Sequence, residues 1–483
     1  MSGITSYGAY IPWYRMNRKI IFDQMGWFNA ATAGVARGEK AVANYDEDTI
    51  SMAAAAALDC IKSQRREAVD GFFLASTSLP FAQRQNAIII SDALDLRPDV
   101  RTADFTGSLR SGTTALLSAL DAVRSGNGSS WLVVSGDCRV GKPGSAQEHT
   151  FGDGAGALMI GDKNVIAEFK GSFSVSYDFI DYRRLTEERF LHAWEDRWIR
   201  EEGYGKIMPE AALGLLKKFN LKVSDFAKII IPCPMTAWNK GFAKAMGVKD
   251  EQIEDNLQAT VGDTGAALPI MMTVAALEKA KAGDKIMVLG YGNGCDALYF
   301  EVTPEIEKAR DHKGVRGHLS KRSDFNTYGK YLVFKDLIPL EVGIRGEIIP
   351  PTAMTILWQE GRTVSALVGV RCRSCDTPQY PKHTVCVNPE CETVGNMEPY
   401  RFSDKTAKVV SFTGDNLAFS WDPPSIYGLV DFEGGGRLFL DFTDCRIGDI
   451  KVGMPMELTF RRKYSDKQRG FYGYYWKVTP AKG

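Results

Sequence analysis

Phe151-Gly-Asp-Gly-Ala-Gly-Ala-Leu158 and Tyr291-Gly-Asn-Gly-Cys-Asp-Ala-Leu298 share one pattern, aromatic-Gly-x-Gly-x-x-Ala-Leu. The likeness continues upstream in the same order. Ser111-Gly-Thr-Thr-Ala-Leu-Leu-Ser-Ala-Leu120 leads into Trp131-Leu-Val-Val134 before the first loop, and Thr264-Gly-Ala-Ala-Leu-Pro-Ile-Met-Met272 leads into Ile286-Met-Val-Leu289 before the second. A Gly-led helix, an apolar strand and a glycine loop therefore recur in two halves of about 150 residues each, as a duplicated unit sharing one core would.

Outward from these loops, strand-like and helix-like runs alternate over residues 1–305. Ile88–Leu94 and Gly112–Val123 read as helical, while Trp131–Ser135 and Lys228–Ile231 read as short buried strands between polar turns. This is an α/β pattern around a largely buried sheet, with halves at 1–165 and 166–305. From about Ile306 to Lys335 the composition turns charged and polar, and Ile348-Ile-Pro-Pro351 reads as a second hinge. Residues 306–364 are thus expected to be a linker with connecting helices. Residues 365–402 hold a cysteine cluster. Residues 403–483 alternate short β-rich runs with Gly and Asp turns, among them Tyr427-Gly-Leu-Val-Asp-Phe432, Arg437-Leu-Phe-Leu-Asp-Phe442 and Met456-Glu-Leu-Thr-Phe460, as a small β-barrel does.

Composition narrows the function classes. The 483 residues carry 59 basic and 59 acidic side chains, so no whole-chain electrostatic footprint for nucleic acid or an anionic membrane is expected. Met1–Tyr14 lacks the basic start and apolar run of a signal peptide, and no stretch of the first half approaches the roughly 20 apolar residues of a membrane span. Of nine cysteines, Cys60, Cys138, Cys233, Cys295 and Cys445 are scattered and four cluster, a usage that fits the reducing cytoplasm and one metal site.

That site is Cys372-x2-Cys375-x10-Cys386-x4-Cys391. Paired thiolates two to four residues apart let a tight turn deliver two sulfurs to one tetrahedral ion, and a second pair closes the shell. Four thiolates leave no open position, so the ion is expected to be structural zinc, with rubredoxin-type iron as the alternative.

Residues 365–483 resemble the zinc-ribbon/OB-fold family whose members partner thiolase-fold enzymes of acyl-CoA metabolism. The resemblance rests on the cysteine spacing and on the segments Tyr427 to Asp444 and Val452-Gly-Met-Pro-Met-Glu-Leu458. OB folds also bind nucleic acid, and aromatics such as Phe412, Trp421, Tyr474 and Trp476 are present. The fusion to an acyl-CoA-type domain favours a protein partner or small ligand instead.

Three stretches of the first 305 residues are similar to hydroxymethylglutaryl-CoA synthase, particularly its archaeal type. They are Tyr7-Gly-Ala-Tyr-Ile-Pro-Trp-Tyr-Arg15, Gly38-Glu-Lys-Ala-Val-Ala-Asn-Tyr-Asp-Glu-Asp-Thr-Ile-Ser-Met52 and Ala280-Lys-Ala-Gly-Asp-Lys-Ile-Met-Val-Leu-Gly-Tyr-Gly292. The loop Phe151–Ala157 also resembles that of ketoacyl synthases. The resemblance implies a five-layered αβαβα thiolase fold, a two-fold dimer and a coenzyme A thioester led to a buried centre.

The resemblance also shows what that centre lacks. Ala103-Asp-Phe-Thr-Gly-Ser-Leu-Arg-Ser-Gly-Thr113 places Leu109 where the family has its nucleophilic cysteine. The family glutamate falls on Thr77, its histidine on Pro232 of Ile231-Pro-Cys-Pro234, and its asparagine on Asp263 of Val261-Gly-Asp-Thr264. Leucine forms no acyl-enzyme, so covalent condensation through this position is excluded. A register slip of one would offer Ser108, with no histidine at the family position to activate it.

Backbone N–H groups at Leu109 and Gly294 would still serve as an oxyanion hole. Asp263 is a candidate general base or the cap of the helix beginning at Thr264, and Tyr291 a candidate proton donor or a structural tyrosine. Cys233 and Cys295 read as buried small hydrophobes. His149 precedes the first loop, and His192 reads as a surface residue of an amphipathic charged helix. Two functions follow. One is an acyl-CoA carbon–carbon bond enzyme, of aldolase or Claisen type, working without the cysteine within a complex. The other is an inactive scaffold subunit of a heteromeric thiolase or acyltransferase. The partners implied are an acyl-CoA, a second copy of the chain and a thiolase-fold subunit, with neither nucleic acid nor membrane.

Overall fold

The duplication is visible in the strand pairing of a computed structural model that describes residues 1–62, 66–347 and 351–481. The chain forms two units, of which the first holds Met1–Asn44, Asp48–Ile90 and Leu96–Lys335, and the second Tyr45–Glu47, Ser91–Asp95 and Asp336–Gly483.

The first half of the first unit runs β1 (Gly3–Tyr10), α1 (Thr49–Ile61), β2 (Gly71–Ala75), β3 (Arg101–Phe105), α2 (Ser111–Arg124), β4 (Ser130–Asp137) and β5 (Gly154–Gly161). The second runs β6 (Ala167–Ser176), α3 (Met208–Phe219), β7 (Lys228–Ile230), α4 (Leu268–Leu277), β8 (Lys285–Tyr291) and β9 (Gly294–Val302). Among the described residues these strands are ordered β7-β8-β9-β6-β1-β5-β4-β2-β3. Each half reads outward from its first strand in the same way. In the first half β4 and β5 are antiparallel and β2 is parallel to β4. In the second β8 and β9 are antiparallel and β7 is parallel to β8. The counterpart of β3 is reduced in the second half to a single parallel bridge between Ile229 and Ile253. The halves meet where Gly3 pairs with Glu168 and Ile4 with Ala167.

Helices complete the five layers of a thiolase fold. Helix α1 covers β1 and β5, and α3 covers β6 and β9. Helices α2 and α4 lie between, each touching strands of both halves. The sequence of α4, Leu-Pro-Ile-Met-Met-Thr-Val-Ala-Ala-Leu, explains its place. It has no polar face, all ten residues are buried, and Pro269 sits in the first turn, where its missing N–H costs nothing. Helix α1 starts where the Asp48 carboxylate accepts from Ser51 N at 3.0 Å.

Residues 306–335, expected from composition to open a linker, belong to the first unit. Most of their charges face outward, Lys335 being buried against Asp153, while Ile306, Val315, Phe325 and Tyr331 are buried. His192 lies not on a helix but on a two-residue strand paired with Tyr182–Arg183; the helix begins only at Asp196. Charge alternation there reflected an exposed ribbon rather than a helical face. Of the hinge Ile348-Ile-Pro-Pro351, the first three residues lie outside the described ones.

In the second unit, β10 (Val368–Cys372), β11 (Pro378–Gln379) and β12 (Met397–Arg401) form the ribbon, with β10 central. The barrel strands are β13 (Ala407–Asp415), β14 (Ser425–Phe432), β15 (Arg437–Asp441), β16 (Pro455–Asp466) and β17 (Phe471–Pro480), ordered β15-β14-β13-β16-β17. A bridge between Phe442 and Val478 brings the ends of this sheet together, as an OB barrel requires.

Candidate functional site: a tyrosine-lined cavity and a four-cysteine cluster

Three positions that the family resemblance singles out meet in space. Leu109 precedes α2, Pro232 follows β7, and Asp263 lies ahead of α4; all three line one cavity together with Tyr291 from the end of β8. Tyr182, Tyr204 and Cys233 share the wall. The open space is about 20 Å³, room for roughly one water molecule.

Asp263 is held from every side. Its backbone N–H donates to Thr150 O at 2.8 Å, and its carbonyl accepts from Gly152 N at 3.1 Å, so the first glycine loop pins it as one bridge of a ladder. Oδ1 accepts from Gly265 N at 2.9 Å in a turn just ahead of the helix, whose N-cap is Thr264 and carries no side-chain cap bond. Oδ2 meets Arg139 Nη2 at 2.8 Å. Arg139 lies with its guanidinium 4.0 Å from the Phe151 ring centroid. Burial alone would lower its pKa, but Asp263 and Asp137 outweigh burial and hold the guanidinium above its ordinary value. Both carboxylate oxygens of Asp263 are thus committed, which weakens its case as a free general base.

Tyr291 is placed differently. Its ring packs on Tyr204 with centroids 4.5 Å apart. Tyr204 comes from Ile199–Ile207, a π-helical stretch running into α3, and Met208 N accordingly reaches back to Gly203 O. Such stretches recur at functional sites. A Cβ on Gly203 would fall 2.1 Å from Tyr291 Oη, so only glycine lets the helix close on the phenol. Tyr291 Oη is buried without a hydrogen bond of standard geometry, and so is Oδ2 of Asp181, a residue 3% exposed. Burial raises the phenol's pKa most, and Asp181 is the charge that raises it next. Burial likewise pushes the Asp181 carboxyl above the usual range.

The second glycine loop approaches the start of α2 through Gly292, where a Cβ would lie 2.9 Å from Leu109 N. Gly294 is not among the cavity-lining residues; it stands at the head of β9, paired with Ser176. Ser108 Oγ donates to Gly292 O at 2.9 Å, a structural use of the hydroxyl. Thr77 is not in the wall either. Its N–H and hydroxyl both bond Asp137, which also accepts from Ala266 N, so it supports the loop beside the cavity. Cys233 and Cys295 are buried, with thiol pKa values pushed up mainly by burial. His149 is buried with Nδ1 3.1 Å from Ser145 O, and burial lowers its pKa.

Arg139, Asp181, Tyr182 and Tyr204 were not singled out from the sequence. Arg139 had a legible signal: it follows Asp137-Cys at the end of a buried strand, where a charge needs a partner. Asp181 had none.

In the second unit, Cys372, Cys375, Cys386 and Cys391 place their sulfurs within 4.8 Å of one another. Cys372–Cys391 and Cys375–Cys386 Sγ separations are 3.7 and 3.5 Å, close to the roughly 3.8 Å edge of a tetrahedron with 2.3 Å zinc–sulfur bonds. Two knuckles build it. Cys372 N donates to Thr377 O and Cys386 N to Thr393 O, each turn passing through a residue with positive φ, Asp376 and Glu392. The donor set and spacing fit zinc, which would cross-link the ribbon.

Known proteins place both parts of the chain in families. A hydroxymethylglutaryl-CoA synthase of Methanocaldococcus jannaschii is 31% identical over 350 residues, 70% of this chain and 100% of that one. Another from Methanopyrus kandleri is 30% identical over 339 residues, covering 69% and 97%. The chain belongs to the hydroxymethylglutaryl-CoA synthase family. Beyond that region, residues 360–398 match the family described as ChsH2, rubredoxin-like zinc ribbon domain, and residues 400–461 that described as ChsH2, C-terminal OB-fold domain. Among solved structures, a hydroxymethylglutaryl-CoA synthase complexed with CoA aligns with a TM-score of 0.62 and 17% identity, over 71% of this chain and 92% of that one. MvaS in complex with 3-hydroxy-3-methylglutaryl coenzyme A gives 0.61 and 21%, over 70% and 92%. These two speak for the fold. No helix among the described residues is long and apolar enough to cross a membrane.

Proposed function

We propose that the first unit binds a coenzyme A thioester and makes or breaks the carbon–carbon bond beside its carbonyl without a covalent intermediate. One observation carries this reading: the cavity gathers Leu109, Pro232 and Asp263 around Tyr291, keeping a proton-transfer group where the family's cysteine and histidine positions have become apolar. In the cleavage direction, a β-hydroxyl gives up its proton, the bond's electron pair passes to the α-carbon, and the resulting enolate oxygen accepts from Leu109 N. Cys233 does not supply a nucleophile, because burial keeps its thiol protonated. The chain acts in the cytoplasm, whose reducing conditions preserve four thiolates for zinc. It works as a dimer or with a thiolase-fold partner, the zinc-ribbon and barrel unit serving acyl-CoA handling in that assembly.

The test is exchange of the α-protons of acetyl-CoA in D2O, a half-reaction that needs no acceptor ketone, followed by cleavage of hydroxymethylglutaryl-CoA. Exchange catalysed by the full chain is expected; its absence removes the enzymatic reading. A second reading, a scaffold subunit with a closed centre, is favoured by the cavity's small volume. It requires no exchange, and restored activity in a cysteine-bearing partner when this chain is added.

A further inference from the structure

Several side-chain polar atoms of the first unit are buried without a hydrogen bond of standard geometry, Arg139 Nε and Thr264 Oγ1 beside the cavity among them, and two of these interact with each other. Tyr291 Oη and Asp181 Oδ2 both lack a partner of standard geometry. Such orphaned groups are costly in a folded interior and call for an explanation. The fold does not leave this phenol room to turn away. Gly203 presses on Oη, Tyr204 packs on the ring, and the strand end fixes the backbone. Asp181 is fixed too, because its Oδ1 accepts from Tyr182 N at 2.6 Å and Tyr182 is itself part of the cavity wall.

The carboxylate previously in question, Asp263, spends both oxygens on Arg139 and Gly265. Asp181 spends one oxygen on Tyr182 N, and its carboxylate interacts with the phenol of Tyr291.

We propose that Asp181 is the positioning and proton-accepting residue behind Tyr291, so that the two side chains form one proton relay serving the cavity. The inference rests on the functional reading above. In the cleavage direction the substrate hydroxyl proton passes to Tyr291 Oη as the tyrosine's own proton passes to Asp181 Oδ2. The carbon–carbon bond breaks, its electron pair collects on the α-carbon, and the ketone leaves. The proton then returns from Asp181 through Tyr291 to the α-carbon, leaving the carboxylate as it began. No oxidant, metal or water is consumed. The raised pKa of a buried carboxyl suits this role, since it narrows the gap to the phenol it must exchange with.

Acetyl-CoA is the probe and the full chain the enzyme. Tyr291→Phe and Asp181→Asn should each slow α-proton exchange in D2O by about 100-fold or more, with acetyl-CoA affinity changed less than about threefold. Asp181→Glu, which restores a carboxylate, should recover part of the rate; a merely structural aspartate would instead show up as weaker binding and a lower melting temperature. Exchange in Asp181→Asn within about threefold of wild type overturns the relay and leaves the functional reading standing. No exchange in the wild-type chain removes the functional reading, and the relay with it. The pairing itself is read separately from the ¹³Cζ resonance of Tyr291 in labelled protein. That resonance should move in Asp181→Asn, or in Asp181→Ser where the amide variant does not fold, and a resonance that stays in place overturns the pairing.

Discussion

Arg139 places a guanidinium nitrogen 2.8 Å from Asp263 Oδ2 and another contact at 2.8 Å on Asp263 O, with both side chains less than a tenth exposed. The pair forms an ionic strut beside the cavity. Breaking one partner of a buried pair costs more than removing both, because the survivor stays charged in a poor solvent. Asp263→Ala is therefore expected to destabilise the first unit by about 3 kcal/mol in urea unfolding, and the double variant Asp263→Ala/Arg139→Met by clearly less. Equal losses in the single and double variants would show that the strut carries no coupling energy.

Gly203 offers a steric test of the tyrosine's position. A Cβ there would meet Tyr291 Oη at 2.1 Å and Cζ at 2.8 Å. Gly203→Ala should cost about 1–3 kcal/mol of stability as overpacking, and should slow acetyl-CoA exchange more than it weakens binding. Full exchange in this variant would place the reacting proton elsewhere.

Leucine at residue 109 makes a mass-spectrometric prediction. Incubation with acetyl-CoA should leave the intact mass of the chain unchanged, because residue 109 is leucine and Ser108 Oγ donates to Gly292 O. An adduct of 42 Da, an acetyl group's mass to about one dalton, mapped to Ser108 would restore covalent catalysis.

What the sequence disclosed follows from the range of the forces involved. The glycine loops announced the duplication because close backbone approach needs glycine at fixed places, and Gly152 would indeed put a Cβ 1.9 Å from Val261 O. The cysteine spacing announced the ribbon because four ligands of one ion leave a local signature. The positions of Leu109, Pro232 and Asp263 were legible through family resemblance, and the cavity unites them. Asp181 was not legible. It lies in an irregular segment, and only the fold brings it to Tyr291, 110 residues away by the numbering. Gly294 was expected at the oxyanion position, while the approach to Leu109 N is made by Gly292, two residues earlier in the same turn.

Glu278 links stability to pH. Burial raises its carboxyl from an ordinary 4.5 to about 7, against backbone N–H donation from Arg316. A folded-state value above the unfolded one means the folded chain binds the extra proton between pH 4.5 and 7. The contribution is therefore intact below 4.5, is lost as pH rises toward 7, and is absent above it. Glu278→Gln keeps an acceptor for Arg316 without the charge. It should stabilise the chain at pH 8 by about 1–2 kcal/mol, allowing for solvent screening of a partly exposed group, and should change little at pH 4. An equal effect at both pH values would place the origin in packing rather than in ionisation.

Metal removal should act on one unit. The four sulfurs within 4.8 Å would repel one another as thiolates without a cation between them, and the ribbon's own strands are short, β11 having only two residues. Binding energy in such knuckles is folding energy, on the order of 10–16 kcal/mol for small zinc domains. Purified chain should therefore carry one zinc, measured by mass spectrometry of metals, and Cys375→Ser should release it. Differential scanning calorimetry of that variant, or of protein treated with a chelator, should show the transition of the second unit lowered or lost. The transition of the first unit should remain, since its core from Ile4 to Val315 is built without the cysteines of the ribbon. Iron in place of zinc would keep the structural role and change only the colour. Metal-free protein with both transitions intact would mean that the four thiols hold the ribbon without an ion.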